Sequence, residues 1–197
     1  ESRLLDDRGP EPNNPPVADI RHSGIEEGQI PGDIVLRHIW DAQRFPHVEG
    51  EGVIDVTQAP YRARPDDGTD DTEAIQRAID DAAATGRAVF LPKGEYHLGR
   101  TLLLRKNTAL FGVSRNLTVL SCLPSWRAVD NTPMIDSEND AAATTVLAFL
   151  RLSMPPDSSR RVYQLRWRAG RHSIVREVWF EKGWANNPPV DMLRILV

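Results

Sequence analysis

The chain has 197 residues, 40% hydrophobic and 26% charged, which suffices for one sizeable buried core. A formal net charge of -4 offers no basic surface for nucleic acid or anionic lipid, and no apolar run reaches the length of a membrane-crossing helix, so neither nucleic acid nor membrane is an expected partner. Cys122 is the only cysteine; it has no internal disulfide partner and is expected as a small buried apolar group.

Residues 1–52 read differently from the rest. Pro10, Pro12, Pro15, Pro16, Pro31 and Pro46 interrupt any long regular element, and fifty such residues cannot enclose a core of their own. The expectation is an extended, Pro-rich strap laid along a main body of residues 53–197.

The stretch Asp66 to Leu98, DDGTDDTEAIQRAIDDAAATGRAVFLPKGEYHL, predicts an acidic turn, a helix, a glycine stop and a strand. Ile75, Ala78, Ile79 and Ala82 recur at helical spacing and form one apolar stripe. Asp70 with Glu73 has the spacing of a capping box, and Gly86 supplies a left-handed stop. Ala88 to Leu91 is then a short apolar strand ended by Pro92, with Lys93-Gly94 as a corner. Turn formation and capping account for Asp66, Asp67, Asp70, Asp71 and Glu73, whose spacing does not match a calcium loop.

These residues resemble a family. The order DDGTDDTEAIQRAI, a small-residue gap, then AVFLPKGEYHLGRTLLL is similar to the start of the pectate-lyase-like domain shared by rhamnogalacturonases, epimerases, family 55 glycoside hydrolases and phage tailspikes. The resemblance runs from Val53 to about Trp184. Members commonly carry Gly-Asp-Gly before the Thr-Asp-Asp-Thr, where this chain has Pro65-Asp66-Asp67-Gly68. It implies a mainly β chain folded as a right-handed parallel β-helix, a solenoid, with one N-terminal α-helix capping the first coil.

From Thr101 onward the chain reads as strands and irregular turns. Thr118-Val119-Leu120, Thr145-Val146-Leu147 and Ser173-Ile174-Val175 suggest a repeat of 27 and then 28 residues (118 to 145, 145 to 173), with the columns Val119/Val146/Ile174 and Leu123/Leu150/Val178 stacked inside. A solenoid needs its last coil covered, so the apolar residues 192–197 predict further β-helix coils, or another chain, at the C-terminal end.

The chemistry points to sugars. His22, His38, His47, His97 and His172 lie far apart with no zinc-site spacing, and no phosphate-binding glycine loop or serine elbow is present, so no metal and no cofactor is expected. Between Val162 and Asp191, Trp167, Trp179 and Trp184 stand among arginines and carboxylates, and sites for sugars join aromatic platforms to charged hydrogen-bonding groups. Trp167 and Trp179 sit in strand-like runs and read as core; Trp184, in a Gly183-to-Pro188 turn, reads as a platform. Glu181 and Asp191 are the candidate catalytic pair, as acid and base respectively, with Trp184, Arg171 and His172 contacting substrate.

The resemblance and these residues together predict a secreted, extracellular or periplasmic protein acting on a polysaccharide or oligosaccharide. RLSMPPDSSRRVYQLRWRAGRHSIVREVWFEKG resembles family 55-like glycosidases more than pectate lyases, which favours a glycoside hydrolase of β-glucan type. The alternatives are a non-catalytic glycan-binding β-helix of tailspike or adhesin kind, and a lyase or epimerase in which Arg171, Arg176 or Lys182 neutralises a uronate.

Overall fold

The computed structural model describes residues 48–126, 132–154 and 162–182. The strap read over residues 1–52 falls almost wholly outside this set, as do Trp184, Asp191 and residues 192–197. The described residues form ten strands and one helix: β1 (Val53–Asp55), α1 (Thr72–Thr85), β2 (Ala88–Leu91), β3 (Gly94–Leu98), β4 (Leu102–Leu104), β5 (Ala109–Gly112), β6 (Thr118–Cys122), β7 (Thr132–Ser137), β8 (Val146–Met154), β9 (Val162–Arg166) and β10 (Ile174–Lys182).

The chain is mainly β, and every pairing among these strands is parallel. A larger sheet runs β1-β2-β5-β8-β6-β3, with β10 also on β8, and a smaller one runs β4-β7-β9. Strands meet partners one lap further along the chain, not their sequence neighbours. Val89 faces Leu110, Leu110 faces Leu147 and Val146 faces Ile174. The laps on this line are therefore 21, 37 and 28 residues long (89 to 110, 110 to 147, 146 to 174).

β8 changes neighbours part-way. Val146–Ala148 pairs with β5, Arg151–Ser153 pairs with β6, and Phe149 between them takes a left-handed φ of 56° that turns the strand. Glu177 does the same in β10, with φ 51°. In the lap before β8 this one-residue bend is replaced by residues 113–117, which separate β5 from β6.

That insertion corrects the repeat. Val146 and Ile174 do pair, as do Leu150 and Val178, but Val119 lies against Arg151 and Val146 against Ala109. The hydroxyl column is real only in its second step, where the Thr145 N–H donates to Ser173 Oγ at 2.9 Å. Nor does the Val146 column face inward: Val146 packs with Val53, Ala88, Phe111 and Ala148 in a second apolar cluster, while Leu150 and Val178 join the main core.

α1 agrees with its sequence pattern. Ile75, Ala78, Ile79 and Ala82 are all buried in the main core beside Leu91, Leu102 and Leu104, and Gly86 ends the helix at φ 70° with its N–H on the Ala82 carbonyl. The capping box does not form. Asp71 is the N-cap without a side-chain cap bond, and Glu73 is exposed. The paired aspartates instead tie the turn to β3: Asp70 Oδ1 accepts from the N–H groups of Thr72 and Gly99 (2.9 and 3.1 Å) and from Thr72 Oγ1, while Asp71 accepts from the N–H groups of Arg64 (2.6 Å) and His97 (3.2 Å). Cys122 is buried against the core as expected, and burial pushes its thiol up to about 12.

Candidate functional site

Side chains alternate across a strand, so one set along β3, β6, β8 and β10 fills the core and the other stands on the outer face. Tyr96, Leu98, Leu120, Cys122, Leu150, Leu152 and Met154 belong to the core, with Val178 and Phe180 packed against it. The outer set is Glu95 and His97, Val119 and Ser121, Arg151 and Ser153, Trp179 and Glu181. Register arranges these into two rows that cross the strands: Glu95, Val119, Arg151, Trp179, and beside it His97, Ser121, Ser153, Glu181.

The β8–β10 end of this face carries the chemistry. Trp179 is 44% exposed, and the Arg151 guanidinium lies 5.7 Å from its ring centroid, within cation–π range. Arg151 Nη1 also stands 3.5 Å from Glu181 Oε2, and Ser153 Oγ donates to the same oxygen at 3.3 Å. Arg115 and Glu177 form a more exposed pair at 3.6 Å nearby along β10. The arrangement is an open aromatic ring bordered by a guanidinium, a carboxylate and a hydroxyl, able to stack on an apolar ring face and bond the groups on its edge.

Trp179 corrects the sequence reading. It was expected in the core, but its position is in register with Arg151 on the outer row, whereas Trp167 packs against the core as expected. Glu181, the candidate acid, stands on the outer row in register with Ser153 and beside Arg151. Arg171 and His172 are exposed in the turn before β10, with Arg171 Nε donating to His172 Nε2 at 3.1 Å, and β10 separates them from Glu181. Arg151 and Ser153 were not singled out in the sequence, since their alignment with Trp179 and Glu181 exists only through parallel pairing 28 residues apart.

A family model described as rhamnogalacturonase A/epimerase, pectate lyase-like, matches residues 54–152. The chain belongs to that family. This pectate-lyase-like chain is 30% identical over 150 residues to a glucan 1,3-beta-glucosidase of Cochliobolus carbonum, an alignment covering 64% of the chain and 19% of the relative. It is 31% identical over 130 residues to a pre-neck appendage protein of Bacillus phage B103, covering 65% of the chain and 13% of that protein. Among solved structures, the iota-carrageenase of A. fortis aligns with a TM-score of 0.54 at 14% identity, over 73% of this chain and 30% of that one, which shows a shared fold. The pectate-lyase-like chain thus spans about a fifth of the length of the glucosidase and under a third of the carrageenase.

Proposed function

We propose that this chain is part of a secreted, polysaccharide-acting β-helix protein, and that its activity is glycoside hydrolysis. The observation that supports this best is the exposed Trp179 ring beside the Arg151–Glu181 pair on the outer strand face. Aromatic platforms with charged hydrogen-bonding neighbours suit sugars. The strands wind as a right-handed parallel β-helix, the hand that parallel crossovers almost always take, and α1 caps its first lap with its Ile75/Ile79 stripe. The similarity to a glucan glucosidase favours a β-glucan substrate, with Glu181 and Asp191 as acid and base and with Trp184, Arg171 and His172 as further substrate contacts.

The test is turnover on β-1,3-glucan, polyuronate and carrageenan, read for the parent chain, Glu181→Gln and Asp191→Asn. Loss of about 100-fold or more in rate on one substrate, with binding kept, supports hydrolysis by this pair. Rates untouched by both substitutions overturn it. A second reading, a non-catalytic glycan-binding β-helix, draws support from the similarity to a phage appendage protein. It predicts sugar binding with no turnover in the parent chain. An unsaturated product on polyuronate would instead favour the lyase reading.

A further inference from the structure

The other half of the outer face, on β1, β2, β5 and the first residues of β8, has a different character. Register lines up Asp55, Phe90, Phe111, Ala148 and Arg176 as one row across five strands, and pairs Val53 with Ala88 and Ala109 with Val146 beside it. The row is charged at its two ends and apolar between them, with the Phe90 and Phe111 rings 5.2 Å apart. At Trp179 the outer face is open, with the ring 44% exposed. Here Phe111 is only 1% exposed and Ala148 0%, while Phe90 and Phe149 around them are half-buried. α1, the only helix among the described residues, does not supply this cover, because its buried stripe packs in the main core.

Connectivity narrows what does. Residues 127–131, 155–161 and 183–197 follow β6, β8 and β10, on the far side of the 113–117 insertion and of the bends at Phe149 and Glu177. The residues before β1 instead enter at Val53, itself part of the apolar cluster. The Val53 N–H donates to the Gly50 carbonyl at 3.1 Å, a reverse turn that lets the preceding chain double back over the sheet. Residues 35–47 carry Val35, Leu36, Ile39, Trp40 and Phe45. From β1 to β8 is three strand steps, about 14 Å. Trp40 precedes Val53 by 13 residues, which span about 20 Å even at the short rise of a helix.

We infer that residues 35–47 lie across the outer face of β1, β2, β5 and β8, with Trp40 and Phe45 set on the Phe90, Phe111 and Phe149 rings. The Pro-rich strap thereby has a seat: it seals the first laps from outside and stops at the Phe149 bend, which leaves the Trp179 row open. The inference stands apart from the carbohydrate reading, since it holds whatever the chain acts on.

The test is a double-mutant cycle in the full chain, read by thermal unfolding of Trp40→Ala/Phe45→Ala, of Phe90→Ala and of all three substitutions together. The strap variant and the sheet variant should each lower Tm by about 5–10 °C, and the combined variant should fall short of their sum, because the second truncation removes a contact already lost. Drops that add in full overturn the docking, since groups without shared partners behave independently. Where a variant does not fold, Trp40 or Phe45 is replaced by p-benzoylphenylalanine in the otherwise unaltered chain and irradiated. Adducts within β2, β5 or β8 of the same molecule support the docking. Adducts elsewhere on the chain, adducts that join two copies, or no adduct from either position overturn it.

Discussion

Asp66 shows how a departure from a family pattern is accommodated by one side chain. It has a left-handed φ of 66°, a conformation that glycine adopts freely and that costs other residues roughly 1–2 kcal/mol. Aspartate offsets the cost locally, since Asp66 Oδ1 accepts from the Glu95 N–H at 2.9 Å and the Asp66 N–H donates to the Glu95 carbonyl, also at 2.9 Å. Asp66→Ala keeps the strained backbone and loses the carboxylate contact, so it should destabilise by about 1–2 kcal/mol in urea unfolding. Asp66→Gly loses the contact but relieves the backbone, and should fall within about 0.5 kcal/mol of the parent. The Arg151–Glu181 pair gives a different expectation. Glu181 is a third exposed, and exposed ion pairs are worth roughly 0–1 kcal/mol, so Glu181→Gln should leave the unfolding midpoint nearly where it was. A lost activity in that variant can then be assigned to the site and not to unfolding.

At the level of elements, successive laps approach one another closely at Gly112 and Gly170. A Cβ on Gly170 would come within 2.3 Å of the Ala141 carbonyl oxygen and 2.8 Å of that of Ala143, both backbone atoms of the turn one lap earlier. A Cβ on Gly112 would meet the Phe149 carbonyl at 2.6 Å and the Thr118 side chain, also at 2.6 Å. Both Gly170→Ala and Gly112→Ala should destabilise, by about 1–3 kcal/mol. Gly170→Ala is expected to be the worse, because it meets backbone alone; paired urea melts would rank them. Ile79→Ala, in the middle of the buried stripe of α1, should cost about 2–5 kcal/mol by the same measurement. These elements differ in how far sequence exposes them. α1 was legible to its buried stripe and its Gly86 stop because a helix is bonded within itself, so spacing along the chain reports its faces. The laps were not, since parallel register is set by partners 21 to 37 residues away and residues 113–117 change one lap's length without leaving a local mark. The inner and outer faces were also hard to tell apart. The outer face of β1, β2, β5 and β8 carries its own apolar cluster, which removes the alternation that would have placed Val146 outside. Glu181 could be named from its composition of neighbours in sequence, but Arg151, Ser153 and Ser121 join it only through the fold.

For the molecule as a whole, acid is the condition under which the Asp70 and Asp71 ties to β3 separate. Burial alone would raise the Asp70 carboxyl, but hydrogen bonds from the Thr72 side chain and from the N–H groups of Thr72 and Gly99 more than reverse it and hold it below its ordinary value of 3.8. A carboxylate held low in the folded state adds stability that is fully present above its unfolded value and is lost as pH falls through the folded one. Asp71 works the other way. Its burial outweighs the two N–H bonds from Arg64 and His97 and holds its carboxyl above the ordinary value, so its contribution falls as pH rises from the unfolded value through the folded one. Urea unfolding of the parent, Asp70→Asn and Asp71→Asn from pH 7 down to pH 2 should therefore give two gaps that move oppositely. The stability gap between the parent and Asp70→Asn should be constant near neutrality and close as pH drops below about 4 and on through the lower folded value, because the unfolded chain takes up the proton before the folded one does. The gap between the parent and Asp71→Asn should shift in the parent's favour as pH falls toward about 4, because protonating the buried Asp71 removes a buried charge. Gaps that run parallel across the whole range would mean that neither turn carboxylate changes its affinity for protons on folding, and the acidic turn would then be joined to the sheet by backbone geometry alone.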